Sequence, residues 1–252
     1  PCRQLYLLKM KFEVNEIYEA LWQPRTRYFI ITGGRGSGKS FAVTVFLTLL
    51  TMSKNIRVLF TRYTMVSAHL SIIPEFLEKI GLLGYDNNFS VNKAEVVNLG
   101  NNSDILFRGI KTSAGNQTAS LKSLQGISTW VLDEAEELVD ENIFDTIDLS
   151  IREKKVQNRI ILVLNPVTKE HWIYKRFFEE RGVESGFNGS KGNVCYIHST
   201  YLDNILNLSQ SFLERIKTIK HKDFKKYTHK IMGGWLDKAE GVVFSNWSIG
   251  EF

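Results

Sequence analysis

Eight consecutive residues, Gly33-Gly34-Arg35-Gly36-Ser37-Gly38-Lys39-Ser40, fit the pattern G-x-x-x-x-G-K-[ST]. Residue types at this spacing bind phosphate. Glycines let consecutive backbone N–H groups curl around a β-phosphate, and a helix that starts here adds the positive end of its dipole. Lys39 would neutralise β- and γ-phosphate oxygens, and the Ser40 hydroxyl would ligate the Mg²⁺ that accompanies ATP. Arg35 stands inside the loop, within reach of a γ-phosphate, with a solvated arginine as its alternative.

A second group lies about a hundred residues further on. Trp130-Val131-Leu132-Asp133-Glu134 ends an apolar run with two carboxylates, which are costly to bury unless they meet a metal or a partner. In that setting Asp133 holds Mg²⁺, directly or through a water, and Glu134 polarises the attacking water as general base. The other reading is a cap on the following helix, which suits Glu136 and Glu137 better. A glutamate beside the metal aspartate argues for a hydrolase and against a small-molecule kinase. Asn165, before Pro166, ends another apolar run where ligands of α/β folds gather, and Asn-Pro also starts ordinary turns.

These residues need a sheet to hold them. Tyr28 to Thr32, Ile56 to Thr61, Ser128 to Leu132, Arg159 to Leu164 and Val194 to His198 read as strands, most of them apolar on both faces. Ser40 to Met52, Val66 to Ile80, Glu141 to Ile151 and Glu170 to Glu180 have the spacing of helices. The alternation predicts an α/β fold with a mostly parallel central sheet flanked by helices. Phe89 to Leu99, the turn Gly100 to Ser103 and Asp104 to Arg108 read as a β-hairpin inserted between core units, and Gly182 to Gly192 as a flexible loop.

The 252 residues, 43% hydrophobic, suffice for one large domain. The two cysteines, Cys2 and Cys195, fit neither a disulfide framework nor a zinc spacing, so a reducing setting is expected. No apolar run reaches the length of a membrane span and the start lacks the order of a signal peptide, so the expectation is a protein with no membrane association. An initial proline with no methionine before it reads as a fragment. The net charge of +5 is compatible with a polyanionic partner, although a basic run such as Lys217 to Lys230 is more often a solvated helix face.

Taken together these segments resemble the ATPase domain of phage terminase large subunits, the DNA-packaging motors of tailed bacteriophages. GGRGSGKS is similar to the family's phosphate loop and LQGISTWVLDEAEEL, Leu124 to Leu138, to its acidic strand. LNPVTKEHWIYKRFF, Leu164 to Phe178, is similar to its coupling segment, and HSTYLDN and GGWLDKAEGVVFSNW, from His198 and Gly233, to its closing segments.

The resemblance implies a P-loop NTPase of the additional-strand, catalytic-glutamate type over residues 1–235. Residues 236–252 would form a tail leading toward a nuclease domain absent from this chain, so Asp145 and Asp148 are expected to face solvent on a helix and no nuclease activity is expected. It implies Mg-ATP hydrolysis with Glu134, Lys39 and Arg35 in catalysis, Asn165 linking γ-phosphate loss to movement, and Gln23 reading adenine. A neighbour's arginine finger is implied as well, with Arg108, Lys122 and Arg152 as candidates. The partners implied are double-stranded DNA, a portal protein, a small terminase subunit and further copies in a ring, the isolated domain being monomeric if it does not assemble. The place implied is the host cytoplasm and, transiently, the procapsid. A helicase-like or recombination ATPase, or a nucleotide-binding assembly module that does not hydrolyse, are the alternatives.

Overall fold

The computed structural model describes residues 14–54, 56–65, 72–112, 115–116, 121 and 124–237. After a 3₁₀ segment at Glu16–Trp22 come β1 (Tyr28–Gly33), α1 (Lys39–Leu50), β2 (Arg57–Thr64) and α2 (Ile72–Leu82). Then follow β3 (Phe89–Val91), β4 (Glu95–Asn98), β5 (Asp104–Thr112), β6 (Gly115–Asn116) and β7 (Thr129–Asp133). The second half holds α3 (Glu141–Asp148), β8 (Arg159–Leu164), α4 (Trp172–Tyr174, running into a π-helical turn Lys175–Glu179), β9 (Gly189–Lys191) and β10 (Val194–Ser199). A kinked 3₁₀ segment, Tyr201–Asn207, leads to α5 (Gln210–Lys222) and α6 (Phe224–Lys226, with a π-helical turn Tyr227–Ile231).

One sheet runs β3-β4-β5-β2-β7-β8-β1-β10-β9, with β6 paired to β5. The six strands from β5 to β10 in that order are mutually parallel, and β9, β4, β3 and β6 pair antiparallel at the margins. β8 lies between β1 and β7, so one strand separates the strand before the phosphate loop from the strand that ends in the acidic pair. This is the additional-strand arrangement expected.

Strand periodicity of two divides the core into two faces. Phe29, Ile31, Val58, Phe60, Val131 and Ile161 pack against α1 and α2 on one side. Tyr28, Ile30, Leu59, Trp130, Leu132 and Ile160 pack against Phe144 of α3 and Ile173 and Phe177 of α4 on the other. Burial on both faces is why these strands are near-continuous apolar runs.

The structure corrects several sequence expectations. The segment from Phe89 turns at Gly100 to Ser103 into an antiparallel β4–β5 pair, as expected, but its first arm is itself folded into the antiparallel pair β3 and β4, and β5 is also a full member of the core, parallel to β2 from Asp104 to Lys111. Gly189–Lys191 of the expected flexible loop is a strand on β10. Asp148 does not face solvent. It is buried, accepting from the Arg27 guanidinium and, at 2.7 Å, from the Tyr28 hydroxyl, and so ties the end of α3 to the start of β1. Asp145 accepts from Arg176 of α4 at 2.6 Å. Residues 66–71 of the expected second helix, Lys122, Cys2 and the tail beyond residue 237 lie outside the described residues. Among the described residues, no helix is long and apolar enough to cross a membrane.

Candidate active site

Both chemical motifs emerge at the carboxyl edge of the parallel strands, where a crevice forms in folds of this type. The phosphate loop leaves β1, and α1 starts at Lys39 behind Gly38, whose φ of 79° is left-handed backbone that glycine adopts without strain. A cavity of about 570 Å³ is lined by Gly34 to Phe41, Arg62, Asp133, Glu134, Val163 to Asn165 and Asn204. The two motifs read from sequence therefore share one site with Asn165.

Lys39 is buried, and its ammonium donates to the Gly33 and Gly34 carbonyls at 2.9 and 3.1 Å, to Ser37 Oγ at 3.3 Å and to Asn165 Oδ1 at 3.1 Å. Burial brings its pKa down to about 8, against the opposing charges of Glu136 and Asp133. Arg35 is exposed, and its backbone N–H donates to the Lys230 carbonyl at 3.0 Å.

Asp133 is buried at the end of β7 and bonded to a residue the motifs did not point to. Arg62, near the end of β2, places Nε 2.8 Å and a terminal nitrogen 2.7 Å from Asp133 Oδ2, with Nε 3.7 Å from Glu134 Oε2. Burial pulls the guanidinium down, but Asp133, Glu134 and Glu75 outweigh it and hold it above its ordinary value. Arg62 carries no motif of its own, and only the pairing of β2 with β7 brings it here.

Both guanidinium contacts fall on Oδ2, which leaves Asp133 Oδ1 for a metal or its water. With the Ser40 hydroxyl in the same cavity, the donor set fits Mg²⁺, which takes one or two protein ligands and completes its shell with water and phosphate.

Glu134 has φ 53° and ψ 46°, a left-handed conformation sparsely populated by residues with a Cβ. Such strain concentrates where a side chain must be aimed. Burial raises its carboxyl above the ordinary glutamate value, against the neighbouring Arg62 charge, which suits a group that must take up a proton.

Glu136, read from sequence as a helix cap, belongs to the site's edge. Its Oε1 accepts from Asn165 Nδ2 at 3.2 Å, its Oε2 is buried with no partner, and burial raises its carboxyl. Asn204 Nδ2 donates to the Gly36 carbonyl at 2.9 Å, out of a kink within Tyr201–Asn207. Gln23 is not brought to the cavity. It precedes β1, at the opposite end of that strand from the loop, and its Oε1 accepts from Ser190 Oγ at 2.6 Å. Arg108 is held by the Ala94 and Phe107 carbonyls, and Arg152 is exposed in the segment before β8.

A phosphate loop after β1, an acid pair at the end of β7 and the strand β8 between them define a P-loop NTPase of the catalytic-glutamate class. The family model described as phage terminase large subunit matches residues 25–234, and the chain belongs to that family. The large terminase subunit of Bacillus phage SPP1 is 26% identical over 249 residues, 94% of this chain and 55% of that protein.

Among solved structures, the large terminase of a thermophilic bacteriophage superposes with a TM-score of 0.66 at 14% identity, over 89% of this chain and 54% of that one. The same protein in complex with ADP and with ATP-γ-S gives TM-scores of 0.64 and 0.62. The large terminase ATPase domain of Thermus phage P74-26 matches at 0.56 and 15% identity, over 91% of this chain and 97% of that domain. The chain thus spans about half the length of the SPP1 protein and of the first of these solved terminases, and nearly all of the ATPase domain solved alone.

Proposed function

We propose that this chain hydrolyses ATP and that hydrolysis drives double-stranded viral DNA into a procapsid. The observation that carries the hydrolytic part is the convergence of Lys39, Ser40, Asp133 and a strained Glu134 on one polar cavity. The ADP and ATP-γ-S complexes of the thermophilic bacteriophage's terminase and the family itself support the assignment. In this reading Lys39 exchanges the loop carbonyls for β- and γ-phosphate oxygens, and the loop's N–H groups bind the β-phosphate. Glu134 orients the attacking water and takes its proton, and Arg35 meets charge developing on the γ-phosphoryl group. Ser40 and Asp133 would hold Mg²⁺, which would supply positive charge against the negative charge of the phosphates. Arg62 positions Asp133 and Glu134 relative to each other.

A portal protein, a small terminase subunit and further copies in a ring on the capsid are the partners this function requires, in the host cytoplasm. The test is phosphate release from Mg-ATP, with and without duplex DNA, by this chain and by Glu134→Gln. Loss of turnover with nucleotide binding kept is the expected result. Equal turnover in both chains would remove Glu134 from the mechanism, and no turnover by the unaltered chain, with or without DNA, would remove the hydrolytic assignment.

A further inference from the structure

Charge is concentrated in one part of this molecule. Between Gln210 and Ile231 seven lysines and arginines stand against two acids, Glu214 and Asp223, an excess equal to the +5 of the whole chain, so the rest of the sequence is neutral. All seven basic side chains are exposed, and none forms an ion pair with a described residue. Six of the seven are lysines, compact point charges that suit backbone phosphate and read no sequence. α5 has 13 residues and is about 20 Å long, and duplex DNA carries one charge per about 1.7 Å, so a duplex along it offers more phosphates than the segment has lysines.

This segment is also built into the nucleotide site. Ile216, Tyr227 and Ile231 form a small core beneath it. From that base Lys230 gives its carbonyl to the Arg35 N–H at 3.0 Å, while its side chain stays exposed. A Cβ on Gly34 would lie 1.8 Å from the Ile231 carbonyl oxygen, and one on Gly233 2.5 Å from the Gly33 carbonyl carbon, so phosphate loop and helical unit touch backbone to backbone.

We propose that the exposed lysines of α5 and α6 hold the backbone of double-stranded DNA, and that Lys230 joins this lysine-rich segment to the phosphate loop. The identity of the polyanion as DNA rests on the packaging reading above. The segment engages phosphates without regard to sequence, as a translocating motor must, and a shift of the duplex against it pulls on the loop through the Lys230 carbonyl.

The test is fluorescence anisotropy of a 30-base-pair duplex over a salt series without nucleotide, so that it stands or falls apart from turnover. The variant K217Q/K222Q/K225Q/K226Q is compared with K54Q/K93Q/K154Q/K155Q, which removes the same charge elsewhere, and melting checks that both fold. The first variant is expected to bind about tenfold or more weaker near 0.1 M salt, with the slope of log affinity against log salt reduced by about 0.9 for each phosphate it no longer neutralises. The control is expected to stay within about threefold of the unaltered chain. Equal losses in both variants, unchanged slopes, no duplex binding by the unaltered chain, or preference for a single strand would each overturn the proposal. Should the fourfold variant not fold, the pair K225Q/K226Q is measured in its place, with a slope change of about 2 or less expected and no change overturning.

Discussion

The lysine of the phosphate loop carries its own pH dependence. Its pKa of about 8 in this structure lies below the ordinary lysine value because burial disfavours the ammonium. Bound phosphate requires the charged form. Below about pH 8 the lysine is already charged and ATP affinity is expected to be flat. Above it a proton must be taken up on binding, and affinity is expected to weaken by up to about tenfold per pH unit. Isothermal titration between pH 7 and 9.5 measures this, and Lys39→Arg, charged throughout, should abolish the slope. A flat profile for the unaltered chain would show that the four oxygen acceptors around Lys39 outweigh its burial.

Glu136 makes a second case at the same scale. Asn165 has two ways to turn its amide, and its neighbours choose between them. The carboxylate takes the NH₂ group and Lys39 the oxygen, so Glu136 fixes which face Asn165 shows to the loop. Glu136→Ala is expected to change ATP affinity by about three- to tenfold, and the same change should disappear in an Asn165→Ala background. Additive effects would mean that Glu136 acts on the nucleotide without Asn165. The sequence held no sign of this, since an acid after a strand is equally a helix cap; only the packing of Ala135–Glu137 against the end of β8 distinguishes the two.

At the scale of elements, the legible parts were those fixed by local chemistry. Strands buried on both faces announced themselves as apolar runs, and the glycine-lysine loop and the acid pair sit where their strands end. Contacts made by sheet order were not legible. Arg62 reaches Asp133 because β2 lies beside β7, and Asp148 is buried because α3 ends over the start of β1. The short antiparallel strand β9 has no buried residue and so looked like loop.

The second glycine of the loop illustrates the same limit: its pattern reads as a phosphate cradle, whereas the structure shows it admitting the Ile231 carbonyl. Gly34→Ala must push α6 away from the loop, because the added carbon would lie 1.8 Å from that oxygen and both sides are backbone. A loss of about 2–4 kcal/mol is expected in denaturant unfolding, in the range of severe overpacking. Loss of nucleotide binding should accompany it. A loss under about 0.5 kcal/mol would show that loop and helical unit separate easily, and would weaken the link drawn from Lys230 to the phosphate site.

For the molecule as a whole, the question is whether one chain holds a complete site. The cations that line the cavity are Arg35, Lys39 and Arg62, and Arg62 is committed to Asp133. Phosphoryl transfer in this class gains greatly from an additional arginine, often from a neighbour. Of the candidates read from sequence, Arg108 is turned onto carbonyls of its own chain, whereas Arg152 is exposed before β8, at the amino edge of the sheet and opposite the cavity. From there it can serve only another copy. If it does, turnover per chain should rise with protein concentration, and Arg152→Ala should remain at the dilute rate. Adding a Glu134→Gln chain, itself inactive but carrying Arg152, should then restore turnover to the Arg152→Ala chain, by about tenfold or more given the size of such effects. No restoration, with both chains folded and binding ATP, would remove Arg152 from this role. A rate per chain that is constant over a hundredfold range of concentration would instead mean that Arg35 and Lys39 complete the site within a single copy.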